Sequence, residues 1–112
     1  DKTARVWEVK PRCKCVRTLE GHRGNVLTIA AAPSGEFVVT GSKDHTLRVW
    51  HLANGSCRLT LKGHCDDVIS CSVHPSSEYV ASGSDDCSAM VWDALAGTCI
   101  WKWRGLGYVN SV

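Results

Sequence analysis

The sequence predicts an all-β fold built from short antiparallel strands, and three observations lead to this fold class. The chain repeats itself with a period of 42 residues, so that laying 21–62 over 63–104 needs no gap and leaves fourteen positions identical. Tryptophan marks three successive copies, at Trp7, Trp50 and Trp92. Turn signals separate apolar, β-branched runs at a spacing typical of strand meanders, and no helical period competes with them.

Each full copy contains four predicted strands in a row. In the first full copy the strands are expected at 25–31, 36–40, 46–50 and 57–61. The turn signals between them are Pro33-Ser34-Gly35, the run 41–44, and Ala53-Asn54-Gly55. In the second full copy the strands are expected at 67–73, 78–82, 88–92 and 98–103. A partial copy precedes these two, and another begins at Gly105, with Leu106 where His is expected.

Length, composition and net charge limit the classes of protein to which the chain can belong. A chain of 112 residues with 44% hydrophobic and 21% charged residues is typical of one soluble globular domain. The net charge of +2 is too small to indicate binding to nucleic acid or to an anionic membrane. No uncharged run is long enough to span a bilayer, so no membrane partner is expected. Seven cysteines, an odd number, without a signal peptide favour the reducing cytoplasm or nucleus.

Four signals that recur at fixed spacing resemble the WD-repeat family of β-propellers. Gly-His opens each full copy, an Asp stands six residues before the Trp, and Trp92-Asp93 is the literal pair. The resemblance covers essentially the whole chain. It implies a partial β-propeller with two full four-stranded antiparallel blades plus parts of two flanking blades. The implied divisions are 1–20 for the last two strands of one blade, 24–62 and 66–104 for the full blades, and 105–112 for the start of the next.

The resemblance also implies a hydrogen-bonded tetrad of side chains in each full blade. The implied members are His22, Thr40, Asp44 and Trp50 in the first, and His64, Ser82, Asp86 and Trp92 in the second. A buried indole N–H needs an acceptor, which a hydroxyl supplies, and that hydroxyl can donate to an imidazole paired with the carboxylate. A hydroxyl, His and Asp could also form a catalytic set. Because the grouping recurs with a Trp in both blades, it is interpreted as structural.

In this family the expected function is a non-catalytic scaffold or adaptor that presents loops to protein or peptide partners within a multiprotein assembly. The alternative is a nucleic-acid-associated propeller subunit in RNA processing or chromatin, although the sequence lacks a basic stripe. We expect no enzyme activity, no cofactor, no metal and no direct contact with nucleic acid. Further blades, or further copies of the chain, are expected to complete the ring.

Turn residues at one edge of the two full blades are the candidate partner contacts, because variable recognition residues belong on loops held by a rigid scaffold. They are Arg23, Asn25, Lys43, His45, Cys65, Asp67, Asp85 and Cys87. A metal or redox cluster of Cys65 and Cys87 near His45 is an open alternative, although no fourth ligand is apparent.

Other residues are interpreted from their repeat positions or their place on a predicted strand. Cys15, Cys57 and Cys99 share one repeat position and are interpreted as small buried packing residues. Trp101 and Trp103 are expected in the core or between blades, with an exposed partner contact as the alternative. Arg48 is interpreted as a solvated or blade-flanking residue, with contact to a phosphate or an acidic peptide as its alternative.

Overall fold

The computed structural model describes residues 2–8, 14–19, 21–52 and 55–104. At 5–8 and 14–18 it describes the backbone and not the side chains. These residues form ten β-strands with their connecting turns. The first six are β1 (Ala4–Glu8), β2 (Lys14–Leu19), β3 (Val26–Ala31), β4 (Phe37–Ser42), β5 (Thr46–His51) and β6 (Cys57–Lys62). The last four are β7 (Val68–Val73), β8 (Tyr79–Ser84), β9 (Ser88–Asp93) and β10 (Cys99–Arg104). Within the described ranges there is no helix that could span a membrane.

Within each sheet, every strand pairs with its neighbour in the chain, so the sheets are simple antiparallel meanders. β1 and β2 form a two-stranded sheet, β3 to β6 form the first four-stranded sheet, and β7 to β10 form the second. Two antiparallel four-stranded sheets without helices confirm the predicted all-β fold class. The strand bounds lie within two residues of those expected from the turn signals. The predicted start of a further blade at 105–112 lies outside the described residues.

The two four-stranded sheets pack face to face, and the core lies between them. β7 packs against β3 and β4, so that the sheets diverge from their first strands outward. The first sheet contributes Val39, Leu47 and Val49, and the second sheet contributes Val80 and Trp92. All five side chains are almost completely buried. The pleat places residues of like parity on one face, which explains why alternate residues of β5 enter this core.

A second, smaller core lies on the other face of the first four-stranded sheet. Here Trp50 and Val38 pack with Ala4 and Leu19 of the two-stranded sheet. Each four-stranded sheet therefore directs its buried tryptophan toward the sheet that precedes it in the chain. Burial of these large side chains supplies much of the hydrophobic stabilisation between sheets.

The far face of the second four-stranded sheet is open and carries two tryptophans. Trp101 pairs with Val91 and Trp103 with Ala89, in the register in which Leu59 pairs with Val49 in the first sheet. Trp101 is 57% exposed and Trp103 is 50% exposed. The expectation of a core role within this sheet is therefore wrong. Packing of these tryptophans against a further blade stays a prediction.

The shared cysteine position is also exposed, contrary to the sequence interpretation. Cys57 and Cys99 both have exposed side chains, and the side chain of Cys15 lies outside the described residues. The register shifts between Val49 and Trp50, and between Cys99 and Trp101, show a bulge at these positions. Each exposed thiol thus lies beside a bulge at the start of an outermost strand and contacts the carbonyl two residues further on, at 3.4 Å in both sheets.

Two valines at the same repeat position provide a test of this packing. Val49 is fully buried between the sheets, whereas Val91 lies half-buried on the open face. We expect Val49→Ala to lower the free energy of unfolding by about 2 kcal/mol, because the removed methyl groups leave a cavity. Val91→Ala should cost less than about 1 kcal/mol. Urea denaturation followed by tryptophan fluorescence measures both, and equal losses would contradict the assignment of an open face.

Candidate functional site

The four side chains of the first predicted tetrad form a continuous chain of hydrogen bonds. Trp50 Nε1 donates to Thr40 Oγ1 over 2.8 Å, and Thr40 Oγ1 lies 2.6 Å from His22 Nε2. The other imidazole nitrogen, His22 Nδ1, lies 2.8 Å from Asp44 Oδ2. The indole and the hydroxyl are buried, and the carboxylate lies near the sheet edge. The chain therefore runs from the core to the surface.

The second predicted tetrad has the same arrangement, with serine in place of threonine. Trp92 Nε1 donates to Ser82 Oγ over 2.9 Å, and Ser82 Oγ lies 2.7 Å from His64 Nε2. His64 Nδ1 lies 3.1 Å from Asp86 Oδ2. Ser88 adds a contact that sequence reasoning did not anticipate, because its Oγ lies 3.0 Å from His64 Nδ1 and also bonds to the Asp86 carboxylate.

Hydrogen-bond donors and acceptors in each tetrad are satisfied when the imidazole is neutral and the carboxylate is ionised. Nδ1–H then donates to the carboxylate, Nε2 accepts from the hydroxyl, and the hydroxyl oxygen accepts from the indole. Burial lowers the pKa of both His22 and His64 below 6.5, against the opposing effect of the paired aspartate. This direction agrees with a neutral imidazole.

Both aspartates are held in the ionised form. Burial disfavours the charge on Asp44, but hydrogen bonds from Thr46 and His22 and from the backbone of Arg23 outweigh it and lower the pKa to about 2. Burial likewise opposes ionisation of Asp86, and hydrogen bonds from Ser88, Cys65 and His64 lower its pKa well below the usual range. Each carboxylate is thus a fixed negative charge at neutral pH.

The aspartates also bind together the turns at one edge of the sheets. Asp44 Oδ2 accepts the Arg23 N–H at 2.9 Å and Oδ1 accepts the Thr46 N–H at 3.0 Å. The Lys43 N–H donates to the carbonyl of Asn25 at 2.9 Å. We call the edge formed by residues 21–25, 43–45, 63–67 and 85–87 the turn edge. In the second four-stranded sheet, Asp86 Oδ2 accepts the backbone N–H of Cys65 at 2.8 Å, and the backbone N–H of Asp85 donates to the carbonyl of Asp67.

All eight candidate contact residues lie on the turn edge. The exposed residues are Arg23, Asn25, Lys43, His45 and Cys65, and the half-buried residues are Asp67, Asp85 and Cys87. His45 and Cys87 adopt positive φ angles of 72° and 68°, in the left-handed region that non-glycine residues rarely occupy. Backbone strain of this kind concentrates at functional positions, and here it recurs at the same place in both repeats.

His45 has acidic neighbours that the sequence interpretation did not include. The ligand atoms of His45, Asp66 and Asp67 lie within 4.8 Å of one another. The cluster joins a turn of the first four-stranded sheet to a turn of the second. Asp66 lay outside the predicted set because the preceding copy has Gly24 at its repeat position. The structure therefore surrounds His45 with carboxylates, where the sequence alternative had placed it near Cys65 and Cys87.

His45 also lines a cavity of about 430 Å³. The charged lining residues are Arg23, Asp44, Arg48 and Lys62, and His64 lines it as well. Sequence reasoning singled out Arg23 and Arg48 separately and missed Lys62. A cation recurs at that position as Arg104, which is the signal that could have identified it.

Comparison with known proteins finds the same two full copies of the repeat that the sequence shows. The model of the family described as WD domain, G-beta repeat matches residues 13–51 and 55–93, which are more than half of the chain. A ribosome biogenesis protein, ERB1 of Yarrowia lipolytica, is 48% identical over 50 residues, covering 41% of this chain and 6% of that protein.

Two further relatives match similar lengths. A guanine nucleotide-binding protein subunit beta of Arabidopsis thaliana is 40% identical over 55 residues, 49% of this chain and 15% of that protein. The small ribosomal subunit protein RACK1 of Trypanosoma brucei brucei is 39% identical over 66 residues, 52% of this chain and 21% of that protein. The chain therefore spans less than a quarter of the length of these relatives.

Removal of the hydroxyl from one tetrad should be severely destabilising. Thr40→Val leaves the Trp50 N–H and the His22 Nε2 without partners in a buried site, and we expect a loss of about 3 kcal/mol in the free energy of unfolding. Thr40→Ser keeps the hydroxyl, as Ser82 does in the other repeat, and should cost less than about 1 kcal/mol. Equal losses in chemical denaturation would show that methyl packing, and not the hydrogen bond, matters here.

Acidification should destabilise the fold in two stages. Both histidines have folded pKa values below the unfolded value of 6.5, so the unfolded chain binds protons more readily and stability falls as pH falls through and below 6.5. Asp44 has a pKa of about 2 against 3.8, so its contribution is lost as pH falls below 3.8 toward 2. Denaturation midpoints across this range measure the effect.

The variant His22→Gln/His64→Gln is the matched control for the first stage. It lacks both titrating imidazoles, so its stability should change less between about pH 7.5 and about pH 5.5 than that of the parent chain. An identical slope in both proteins would assign the pH dependence to other groups.

Proposed function

This chain belongs to the WD40 repeat family, and we propose from that premise that it is a non-catalytic scaffold or adaptor whose turn edge binds protein or peptide partners within a multiprotein assembly. The observation that carries the proposal is the contrast between backbone and side chains at the turn edge. The backbone is fixed by the aspartate of each tetrad, whereas the side chains differ between the two repeats. Rigid turns with variable side chains favour recognition of a macromolecular surface.

Charge along the turn edge supports a protein partner. Lys43 in one repeat corresponds to Asp85 in the other, and Arg23 corresponds to Cys65. His45 lines a cavity together with cations and also lies close to the carboxylates of Asp66 and Asp67. Complementary charge patterns of this kind give specificity between proteins.

The open face of the second four-stranded sheet supports a role inside a larger assembly. Trp101 and Trp103 stand where Leu59 and Leu61 of the first sheet pack against the following sheet. We propose that 24–62 and 66–104 are full blades, that 1–20 and 105–112 belong to flanking blades, and that further blades or further copies cover this face. Exposed apolar patches of this kind mark interaction surfaces.

The relatives favour a second candidate, a subunit of an assembly that contains nucleic acid. The names of two of them connect those proteins with the ribosome. In such an assembly this chain would contact proteins, because its turn edge carries both cations and carboxylates and the sequence lacks a basic stripe. Five described cysteines carry free thiols, which supports the proposal of a cytoplasmic or nuclear protein.

Charge reversal at the turn edge tests the proposed function. Lys43→Glu/Asp85→Lys changes one repeat position in both sheets, and neither side chain is a member of a tetrad. We expect proteins that co-purify with the tagged protein from its own cells to be lost, while the thermal midpoint is unchanged. Co-purifying proteins are quantified by mass spectrometry.

The matched control reverses charge on the opposite edge of the same sheets. Glu36→Lys/Glu78→Lys also changes one repeat position twice, in the exposed turns between β3 and β4 and between β7 and β8. The co-purifying proteins should be retained. Loss of the same proteins from both variants, or from neither, would contradict the proposal that the turn edge is the binding surface.

A further inference from the structure

We propose that the cavity beside His45 binds the phosphate group of a phosphorylated segment in a protein partner. The proposal rests on the proposed function and specifies the chemistry of the partner. The cavity measures about 430 Å³ and lies at the turn edge of the first four-stranded sheet. Its size is within the range of ligand sites, about 300 to 1,000 Å³.

Three cations line this cavity, and each comes from a different element. Arg23 lies in the turn before β3, Arg48 lies in β5, and Lys62 ends β6. Among the described residues, none of the three forms an ion pair with a carboxylate. Cations that converge on one cavity without anionic partners form a site for an anion.

The one carboxylate in the lining is already committed to other groups. Both oxygens of Asp44 accept hydrogen bonds, Oδ2 from His22 and from the Arg23 N–H, and Oδ1 from Thr46. Asp44 therefore does not neutralise the guanidinium and ammonium groups by direct pairing. Three cations against one carboxylate leave two positive charges in excess among the lining residues, and the carboxylates of Asp66 and Asp67 next to His45 do not line the cavity.

Arg48 is not required by the repeat scaffold. Its guanidinium lies between Gly21 and Trp50, where a Cβ on Gly21 would come within 2.6 Å of Nη1. In the next repeat Met90 fills the same space, and a Cβ on Gly63 would come within 2.8 Å of its Cε. Because a thioether fills the same space in the next repeat, side-chain volume alone does not require the charge of Arg48.

The guanidinium of Arg48 also has unused hydrogen-bonding capacity. Its Nε is buried and has no hydrogen-bond partner among the described residues. Its Nη1 donates only weakly, to Cys57 Sγ at 3.7 Å, and the guanidinium carbon lies 5.9 Å from the centre of the Trp50 ring. Among the described residues no carbonyl or carboxylate accepts from this guanidinium, so its Nη groups remain able to donate to an anion in the cavity.

Charge favours a phosphate monoester over a carboxylate. A phosphorylated side chain carries a charge of about −1.5 to −2 at neutral pH and three acceptor oxygens, which match the two excess positive charges and three separate donors. An Asp or Glu side chain carries a single charge. Phosphorylation of the partner would therefore control its binding at the turn edge.

Fluorescence anisotropy of labelled peptides tests the proposal directly on the purified chain. The probe is a Gly/Ser pentapeptide with one phosphoserine, compared with the unphosphorylated peptide and with a peptide that has Glu at the same position. We expect the phosphopeptide to bind at least about tenfold more tightly than either of the others. Equal binding of the phosphoserine and Glu peptides, or of the unphosphorylated peptide, would overturn the proposal.

The repeat supplies the matched variants. Arg48→Met introduces the residue that fills the same space in the next repeat. It should weaken binding of the phosphopeptide about tenfold or more, while the thermal midpoint of the protein is unchanged. Lys62→Gln, at an exposed site, should have a similar effect even if Arg48→Met disturbs folding. Arg104→Gln removes the cation at the corresponding position of the second sheet and should leave binding unchanged. Unchanged binding in Lys62→Gln and Arg48→Met would overturn the assignment of this cavity.

Two further outcomes are decisive. If the chain binds vesicles that contain a phosphoinositide and does not bind the phosphopeptide, the proposal of a protein partner is overturned and the cavity binds a membrane lipid. If the phosphopeptide does not bind but Lys43→Glu/Asp85→Lys still loses co-purifying proteins, the phosphate proposal fails and the proposed function stands. If neither effect is found, both fail.

Discussion

The need to satisfy one buried indole N–H in each four-stranded sheet is the constraint on which the rest of the structure depends. Trp50 and Trp92 are almost completely buried. An indole N–H left there without an acceptor would lower the free energy of unfolding by roughly the cost of an unsatisfied buried donor, which is a few kcal/mol. The hydroxyl, the imidazole and the carboxylate extend the hydrogen bonding from the core to the sheet edge. Because the carboxylate also accepts backbone N–H groups, a requirement of the core determines the conformation of the surface turns.

Residues that are identical in the two repeats and residues that differ between them consequently have different roles. The repeated residues build two sheets of the same geometry, and the non-repeated residues give each turn edge its own charge. Arg48 and Met90 illustrate this division, since both fill the space beside a glycine and a tryptophan, but only Arg48 brings a charge to the cavity. The scaffold therefore tolerates changes in chemistry at positions where only side-chain volume is required.

Short-range patterns predicted the strands well, and the family resemblance implied the members of both hydrogen-bonded chains. Strand bounds follow from turn residues and period-2 alternation, which act over a few residues and are therefore visible in the sequence. The same patterns failed for Cys57 and Trp101. A bulge in the outermost strand exposes the first, and the second lies on a face that none of the described residues covers. Burial depends on what packs against an element, and alternation within the element does not encode it.

The sequence by itself determined the all-β class and the 42-residue repeat, and its resemblance to a repeat family implied the side chains that bond to each buried tryptophan. The reason is that strand propensity, turn chemistry and donor–acceptor matching are properties of residue types at fixed spacing. Only the tertiary structure decided that Arg23, Arg48 and Lys62 converge on one cavity and that His45 lies beside Asp66 and Asp67. These residues are far apart in the chain, and strand pairing, sheet twist and packing between sheets bring them together.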